Sequence, residues 1–381
     1  MHARRFAVFG GLLSCCLLTA VLAGAAFGQG LTPATRGAPL PGNGPRAYVA
    51  IVIDDLPNLQ LWSQLATDCD TYGLKATLAL NTEKATPADY AIIAKHLAKG
   101  HELANHTRDH VAVAPGAVIR LRYYNPAAKS AHVTVVQSAE RLRLTVNGES
   151  TPLAEFNLSE DGPTPNLRKL VDALNDTRGV TAELGDPYYA NIRSRFLADK
   201  GDLDIFFKNG LVPLFVDTSK NARYEMAGAL EDIKAGLPEA KVTSMVYPFL
   251  VSDAVSRQIA GDLGMTCGRI GTAGFAALGA PGGYDLYRIY AGKPRDLFGQ
   301  DPSSADFQHK VQAFFKKIKE IGGVLCLYSH GPDEFTNEQW KGLLPLLAKD
   351  KQVAYVSLHD LAAAVTKLGT LRDGRYYLDK K

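Results

Sequence analysis

The stretch that decides the fold reads AYVAIVIDD over residues 47–55. Its first seven residues form a short, continuous apolar run, which is typical of a strand buried on both faces of a parallel sheet, and two carboxylates close it. Strand-like and helix-like segments alternate from here to about residue 104, and the alternation returns after residue 222. This rhythm predicts an α/β fold with βα units around a parallel sheet or barrel.

The residues between these two blocks have a different character. β-Branched and polar residues alternate over 115–150, with turn residues such as Asn147 and Gly148 between them, and this favours antiparallel hairpins. A helical pattern follows at 165–176. We therefore predict an inserted α+β module on a loop of the parallel domain. The predicted boundaries are 47–113 for the first part of the barrel, 114–221 for the insert, 222–369 for the second part and 370–381 for a C-terminal tail.

The N-terminal residues predict export from the cytoplasm. Arg4 and Arg5 precede an uncharged apolar run over 6–27 that ends in small residues, which is the pattern of a signal peptide over 1–28. The alternatives are a retained membrane anchor, because the run is long enough to span a bilayer, and a lipoprotein site at Cys15. A Gly- and Pro-rich linker is expected at 29–46. We expect a periplasmic, secreted or cell-surface protein that touches a membrane only through an uncleaved N-terminal segment.

Composition indicates an ordinary globular protein. Hydrophobic residues make up 46% and charged residues 21%, and the net charge is +3, so disorder and nucleic-acid binding are both disfavoured. Of five cysteines only Cys69, Cys267 and Cys326 follow the leader. This odd, sparse set predicts buried thiols, with no disulfide framework and no CxxC metal site. The oligomeric state stays open.

Candidate ligands and catalytic groups follow three predicted strands. Asp54 and Asp55 close the first strand, His106 and His110 follow the strand at 101–104, and His330 closes an apolar strand at 322–330. The carboxyl ends of parallel strands meet at one edge of the sheet, where metals and ligands are normally bound. Two imidazoles four residues apart share one face if their segment is helical, and with a carboxylate they suit zinc or a similar ion.

Each part of this set also has a structural interpretation. An Asp pair after a strand is often a turn or a helix cap, and two histidines at this spacing also occur on helix surfaces. His96 and His101 are expected to have structural roles, and His359 stands at the start of a predicted helix, which favours capping. The coincidence of three strand ends favours a metal site.

The motifs resemble those of one known family. IDD at 53–55, HTRDH at 106–110, VYPF at 246–249 and LYSH at 327–330 are similar in type and order to the motifs of the polysaccharide deacetylases of carbohydrate esterase family four, the NodB-homology domain. The resemblance covers roughly 47–112 and 222–365 and leaves out the insert. It implies a distorted, partly open (β/α) barrel and a metal-dependent hydrolase that removes N-acetyl groups from a polysaccharide bearing N-acetylated sugars.

The resemblance also implies a role for each matching residue. Asp54 becomes the general base and His330 the general acid. Asp55, His106 and His110 hold a divalent metal, with Zn²⁺ expected first and Co²⁺ or Ni²⁺ as alternatives. The backbone N–H of Phe249 stabilises the oxyanion. The residues expected to support the site are Thr107, Tyr247, Pro248 and Arg288.

This sequence departs from the family pattern at three points. Leu56 and Pro57 replace the Gly that usually follows the Asp pair, and Val246 stands where many members have an arginine that orients the catalytic aspartate. Arg288 is a candidate substitute, with an exposed salt bridge as the alternative. No counterpart of the family's Asp-containing motif, which tunes the acid histidine, can be identified in the sequence.

Two further functions stay open at this stage. One is an esterase that removes O-acetyl groups from a glycan with the same site, and the other is a non-catalytic glycan-binding or assembly protein that uses the insert as its contact surface. The intact set of aspartates and histidines argues against the second. Two tyrosine pairs of the insert are candidates for stacking on sugars, with core or rim positions as the alternative: Tyr123 with Tyr124, and Tyr188 with Tyr189.

Overall fold

The computed structural model describes residues 40, 44–55, 59–206, 209–271, 275–331 and 334–378. The predicted signal peptide or anchor over 1–28, most of the predicted linker and the Leu56–Pro57 turn lie outside the described residues. No helix in the described ranges is long and apolar enough to cross a membrane.

The described residues form eighteen strands and nine α-helices. The strands in chain order are β1 Ala47–Asp54, β2 Ala76–Leu80, β3 Glu102–Asn105, β4 Ile119–Tyr123, β5 Ala131–Val136, β6 Arg141–Val146, β7 Ala154–Asn157, β8 Val180–Leu184, β9 Lys200–Asp204, β10 Val212–Leu214, β11 Ser244–Val246, β12 Cys267–Gly271, β13 Phe275–Ala277, β14 Ile289–Gly292, β15 Gly323–Ser329, β16 Val353–Val356, β17 Gly369–Arg372 and β18 Arg375–Leu378. The helices are α1 Leu59–Thr71, α2 Pro87–Leu97, α3 Leu167–Asn175, α4 Thr218–Gly236, α5 Ala254–Asp262, α6 Pro294–Phe298, α7 Ala305–Ile321, α8 Asn337–Ala348 and α9 Leu358–Leu368.

Seven parallel strands close into a barrel. β1, β2, β3, β11, β12, β14 and β15 pair in this order, and β15 pairs back onto β1. The predicted α/β barrel is thereby confirmed. The ring is distorted, because β3 and β11 share the single register pair Asn105–Met245, and β14 and β15 share only two pairs. β13 and β16 extend the sheet beyond the ring, on β15 and β1 respectively.

The apolar run that opens the fold lies at the centre of the core. Every residue of β1 is buried, as a strand covered on both faces requires. Outside the barrel, Trp62 of α1, Phe307 of α7 and Trp340 of α8 pack in one hydrophobic cluster with the sheet. The Trp62 indole N–H donates to the Asp54 carbonyl at 3.0 Å. The helical layer therefore holds the end of β1, where the candidate site begins.

The chain between β3 and β11 forms two antiparallel sheets and helices α3 and α4. The strand orders are β10-β4-β8 and β7-β6-β5-β9. Asn147 and Gly148, which follow β6, have φ of 56° and 70°, values that an Asn-Gly turn accommodates readily. Leu170 and Leu174 of α3 pack with both sheets in a hydrophobic cluster separate from that of the barrel. At the C-terminus, β17 and β18 form a hairpin.

Candidate metal centre and catalytic site

Three ligand-type side chains meet beyond the carboxyl ends of β1 and β3. Asp55 directly follows β1, and His106 and His110 follow β3. Asp55 Oδ1 lies 3.1 Å from His106 Nε2 and 3.0 Å from His110 Nε2. The three ligand atoms all lie within 4.8 Å of one another. The structure thus brings together the three residues that the sequence nominated as ligands.

The segment that carries the two histidines is a tight loop, so the helical interpretation of their spacing is wrong. Thr107 and His110 have φ of 69° and 51°, in the left-handed region that a right-handed helix excludes. The N–H of the buried Thr107 donates to Asn105 Oδ1 at 2.8 Å and fixes the turn. The chain reversal brings the His110 ring to 4.8 Å from the His106 ring.

Two carboxylates and an arginine anchor this loop. The Asp109 N–H donates to Glu225 Oε2 of α4 at 2.9 Å, and Arg193 donates to the Asp109 carboxylate over N···O distances of 3.0 and 2.8 Å. Burial, followed by the charge of Asp109, raises the pKa of Glu225 to about 8. Arg193 belongs to the predicted insert, 114–221, which therefore directly contacts the loop that carries two candidate ligands.

The buried side of the triad is chemically incomplete without a cation. His106 Nδ1 lies 2.6 Å from the Val246 carbonyl oxygen, which can only accept, so Nδ1 donates to it and Nε2 is the ring nitrogen left for a metal. His106 Nε2 faces Asp55 Oδ1 at 3.1 Å. Apart from contacts within the triad, both atoms are buried without a hydrogen-bond partner in the described part of the chain. A carboxylate and two imidazoles in this arrangement fit zinc or a similar divalent ion.

Asp55 is held as a carboxylate. Burial works to raise its pKa, but the hydrogen bonds and charges of His106 and His110 outweigh burial and lower the pKa below its ordinary value. An ionised carboxylate is the form that binds a metal. The electrostatics of the triad therefore suit the role of ligand.

Asp54, the last residue of β1, forms a buried ion pair with Arg269 of β12. Arg269 is fully buried and Asp54 is 1% exposed, and the guanidinium also lies 4.7 Å from the centre of the Tyr328 ring. Arg269 thus takes the place proposed for Arg288, which lies instead over the Tyr290 ring at 5.9 Å. The signal that sequence reasoning missed is a lone arginine inside the buried strand CGRIG, because a buried guanidinium requires a carboxylate partner.

His330, just after β15, lies between Asp54 and Glu334. Its Nε2 is 3.7 Å from Asp54 Oδ2, and its Nδ1 is 3.0 Å from both carboxylate oxygens of Glu334. Glu334 also pairs with Lys293, at 2.5 Å. Glu334 therefore supplies the carboxylate on the histidine that could not be identified from the sequence. Its position four residues after His330 is the signal that could have found it.

These contacts set the charge states of both partners. Burial works to lower the pKa of His330, but the hydrogen bond with Glu334 and the charge of Asp54 outweigh burial and raise that pKa. Burial works to raise the pKa of Glu334, whereas the hydrogen bonds from His330 and Lys293 lower it to about 2. The histidine therefore retains its proton to higher pH than an ordinary imidazole.

The VYPF motif leads from β11 to the edge of the triad. Tyr247 and Pro248 are buried, and Phe249 has a φ of 54° within the short 3₁₀ turn Pro248–Leu250. The Phe249 ring lies 5.0 Å from the His110 ring. The residue predicted to offer its N–H to an oxyanion thus lies beside the triad, and that role stays a prediction.

Backbone strain is concentrated around these residues. Eight non-glycine residues in the described ranges have positive φ, and five of them are Asp55, Thr107, His110, Phe249 and Leu250. A residue held in such a region costs about 1–3 kcal/mol, and such residues cluster at functional sites. The backbone geometry therefore marks the same location as the side chains do.

The remaining candidate histidines have partners elsewhere. His96 Nε2 lies 3.0 Å from Ser63 Oγ, and His101 Nε2 lies 3.1 Å from Asp70 Oδ1. The third, His359, lies 2.8 Å from the Thr243 hydroxyl. Thr243 directly precedes β11, so His359 is at the amino ends of the strands. None of the three histidines belongs to the triad.

Each tyrosine pair of the insert has one buried and one exposed member. Tyr123 and Tyr189 are both 3% exposed and pack in the core of the insert. Tyr124 is 58% exposed and Tyr188 61% exposed. Of these four tyrosines, only Tyr124 and Tyr188 present a ring surface that a ligand could contact.

The fold and the site define an α/β-barrel protein with a candidate Asp-His-His metal centre at the carboxyl ends of its strands. The family model described as polysaccharide deacetylase matches residues 42–146. The resemblance predicted from the motifs is confirmed, and over these residues the chain is similar to the polysaccharide deacetylases. No curated protein matches the sequence significantly.

Several solved structures are similar to the chain at low sequence identity. A family 4 carbohydrate esterase from Streptomyces lividans is 11% identical, with a TM-score of 0.38, over 88% of this chain and 100% of its own. The chitin deacetylase of Colletotrichum lindemuthianum is 12% identical, with a TM-score of 0.40, over 92% and 99%. A family 4 pseudoenzyme from Bacillus anthracis is 12% identical, with a TM-score of 0.40, over 87% and 70%.

Proposed function

We propose that this protein is a metal-dependent hydrolase that removes N-acetyl groups from a polysaccharide. The observation that carries the proposal is the set of Asp55, His106 and His110, whose ligand atoms all lie within 4.8 Å of one another. Beside this set, Asp54 and His330 lie 3.7 Å apart, and each is held by a partner of opposite charge. A metal site flanked by a candidate base and a candidate acid is suited to hydrolysis of an acyl group.

Each residue contributes one part of the reaction. Asp55, His106 and His110 would hold a divalent metal, which would supply Lewis acidity towards the acetyl carbonyl and the attacking water. Asp54 is not one of the three ligands, and Arg269 orients its carboxylate, so it accepts the proton of that water. His330 donates a proton to the departing nitrogen. The Phe249 N–H donates to the oxygen that becomes negative in the tetrahedral intermediate.

The charge state of His330 favours hydrolysis of an amide. An amine leaves a tetrahedral intermediate only after it has been protonated, whereas an alcohol is a better leaving group and needs an acid less. Glu334 and Asp54 raise the pKa of His330 and so maintain the acid in its protonated form. Removal of O-acetyl groups from a glycan by the same residues is the second candidate function. A protein that only binds a glycan would need neither the Asp54–Arg269 ion pair nor the His330–Glu334 ion pair.

The proposal is tested by acetate release from three kinds of substrate, namely chitin oligosaccharides, peptidoglycan and acetylated xylan. Chelation should abolish release, and Zn²⁺, Co²⁺ or Ni²⁺ should restore it. Asp55→Ala and His106→Ala should abolish both activity and metal binding. His359→Ala is the matched control, because this histidine lies at the opposite end of the strands, and it should retain both.

Two outcomes would change the assignment. Acetate from acetylated xylan alone would establish the esterase as the correct function. Tight glycan binding without acetate release from any of these substrates, in the metal-restored protein, would overturn the enzymatic proposal. Metal content measured on the same samples separates loss of metal from loss of chemistry.

We also propose that the protein is exported. The support is the signal-peptide pattern over residues 1–28, which lie outside the described residues. Deletion of 1–28 should leave the protein in the cytoplasm, as measured by cell fractionation. Equal export of the deleted form would contradict the proposal.

A further inference from the structure

A row of aromatic rings leads from the candidate metal centre onto the insert. Phe249 lies next to His110, with 5.0 Å between ring centres. Tyr188 of the insert stacks on Phe249, with ring centres 4.5 Å apart and an angle of 28° between the planes. Tyr188 is nevertheless 61% exposed. The row therefore ends in an aromatic surface that is open to solvent and only two ring contacts from a candidate ligand.

The segment that carries Tyr188 is held firmly. Tyr188 lies in the 3₁₀ turn Pro187–Tyr189, and its N–H donates to Asp186 Oδ1 at 2.9 Å. The next residue, Tyr189, is buried, and its hydroxyl accepts from the Gly116 N–H at 3.2 Å. On the other side, Gly185 packs so closely that a Cβ there would lie 1.6 Å from the Ala117 carbonyl oxygen. Tyr188 is thus presented by a rigid turn anchored at both ends.

We infer that Tyr188 forms a sugar-binding subsite of the candidate active site. Its exposed ring would stack on the C–H face of a pyranose adjacent to the sugar whose acetyl group lies at the metal centre. A tyrosine is suited to this task because it offers a large, rigid, amphipathic surface and loses little conformational entropy on binding. The inference rests on the proposed function and extends it. The inferred substrate is an oligomeric glycan, in which the sugar next to the acetylated one would lie over Tyr188.

A lone exposed tyrosine is common on protein surfaces and has no meaning by itself. Tyr188 differs because it contacts Phe249, which adjoins His110, and because it comes from a segment far from both in sequence. Tyr124 is exposed to a similar extent, 58%, and it lies beside the Gly179 turn, where its N–H donates to the Gly179 carbonyl. Tyr124 is therefore the matched control for loss of an exposed ring from the insert.

The experiment compares Tyr188→Ala, Tyr188→Phe and Tyr124→Ala in the full, zinc-loaded protein. The probes are a tetramer of N-acetylglucosamine and an acetylated xylotetraose. Calorimetry gives Kd, and acetate release gives KM and kcat. Tyr188→Ala should raise Kd and KM for the bound tetramer by about 10-fold, on the scale of one lost aromatic contact, and should change kcat less than KM. Tyr188→Phe retains the ring and should rescue the Kd and KM lost in Tyr188→Ala, whereas Tyr124→Ala should leave Kd, KM and kcat unchanged.

The outcomes separate this inference from the proposed function. If a tetramer binds the parent protein, binds Tyr188→Ala more weakly and releases no acetate, the Tyr188 subsite is supported and the proposed hydrolase function is overturned. If acetate is released and Tyr188→Ala leaves Kd and KM unchanged, the Tyr188 subsite is overturned and the proposed hydrolase function is supported. Equal losses in Tyr188→Ala and Tyr124→Ala, or binding of neither tetramer at millimolar concentration, also overturn the subsite.

Discussion

Replacement of Glu334 by glutamine is expected to shift the alkaline limb of the pH–rate profile to lower pH. The general acid must be protonated to act, so the rate falls as pH rises through the pKa of His330. In the native protein Glu334 lies 3.0 Å from His330 Nδ1 and raises that pKa. Without the carboxylate the imidazole loses its proton at a lower pH, and the rate falls earlier.

The size of the shift follows from the geometry. A hydrogen bond to a charged group contributes about 1.5–3 kcal/mol, so its loss lowers the pKa of His330. The His330 side chain is 35% exposed, so screening by solvent reduces this contribution. Asp54, 3.7 Å from His330 Nε2, is unchanged in the variant and preserves part of the native shift.

The assay is kcat/KM for acetate release from about pH 5 to pH 10 at saturating zinc, with the titration of the His330 ring followed by NMR. Lys293→Met removes the cation that competes with His330 for Glu334, so it should shift the alkaline limb of the pH–rate profile to higher pH. Glu338→Gln, an exposed change on α8, should leave it in place. A His330 titration that moves while the alkaline limb stays fixed would show that His330 is not the acid. If neither moves in Glu334→Gln, Glu334 does not set the pKa of His330.

Three other changes test the supporting contacts. Arg269→Met leaves Asp54 buried without its cation and should lower the free energy of unfolding by about 3–5 kcal/mol in urea denaturation. Combining it with Asp54→Asn should recover most of that loss, and a purely additive double variant would contradict the ion-pair explanation. Arg193→Ala removes the contacts that hold Asp109 and should weaken zinc binding by about 10- to 100-fold in calorimetry. Arg195→Ala, a neighbouring change, should leave zinc affinity unchanged. Equal losses of zinc affinity in both variants would refute the role of Arg193 in anchoring Asp109. Because burial raises the pKa of Glu225 to about 8, native stability should fall as pH rises from about 4.5 to about 8. Thermal melts of Glu225→Gln should lack this slope, and identical pH profiles would show that Glu225 titrates normally.

The barrel and the candidate ligands could be predicted because both depend on local sequence patterns. A continuous apolar run such as 47–53 specifies a buried strand wherever it pairs. Polar residues that follow parallel strands must then appear at one edge of the sheet. Asp55, His106 and His110 could be nominated on these grounds without knowledge of how the strands pair.

The backbone of the histidine loop could not be predicted in this way. A spacing of four residues fits a helix, but Thr107 and His110 adopt left-handed conformations, and the turn is held by Asn105, Glu225 and Arg193. Two of these three residues are distant in sequence. Conformations of this kind persist only when the surrounding structure imposes them.

The sequence by itself determined an α/β barrel with carboxylates and imidazoles at its strand ends, because hydrophobic patterning and strand polarity act locally. Only the tertiary structure decided which partners those groups have. Arg269 meets Asp54 across 215 positions of sequence, and Tyr188 reaches Phe249 from the insert. The free energy of an ion pair or a ring stack depends on the distance between its members and on the solvent they exclude. Those quantities exist only once the barrel has closed and the insert has packed against it.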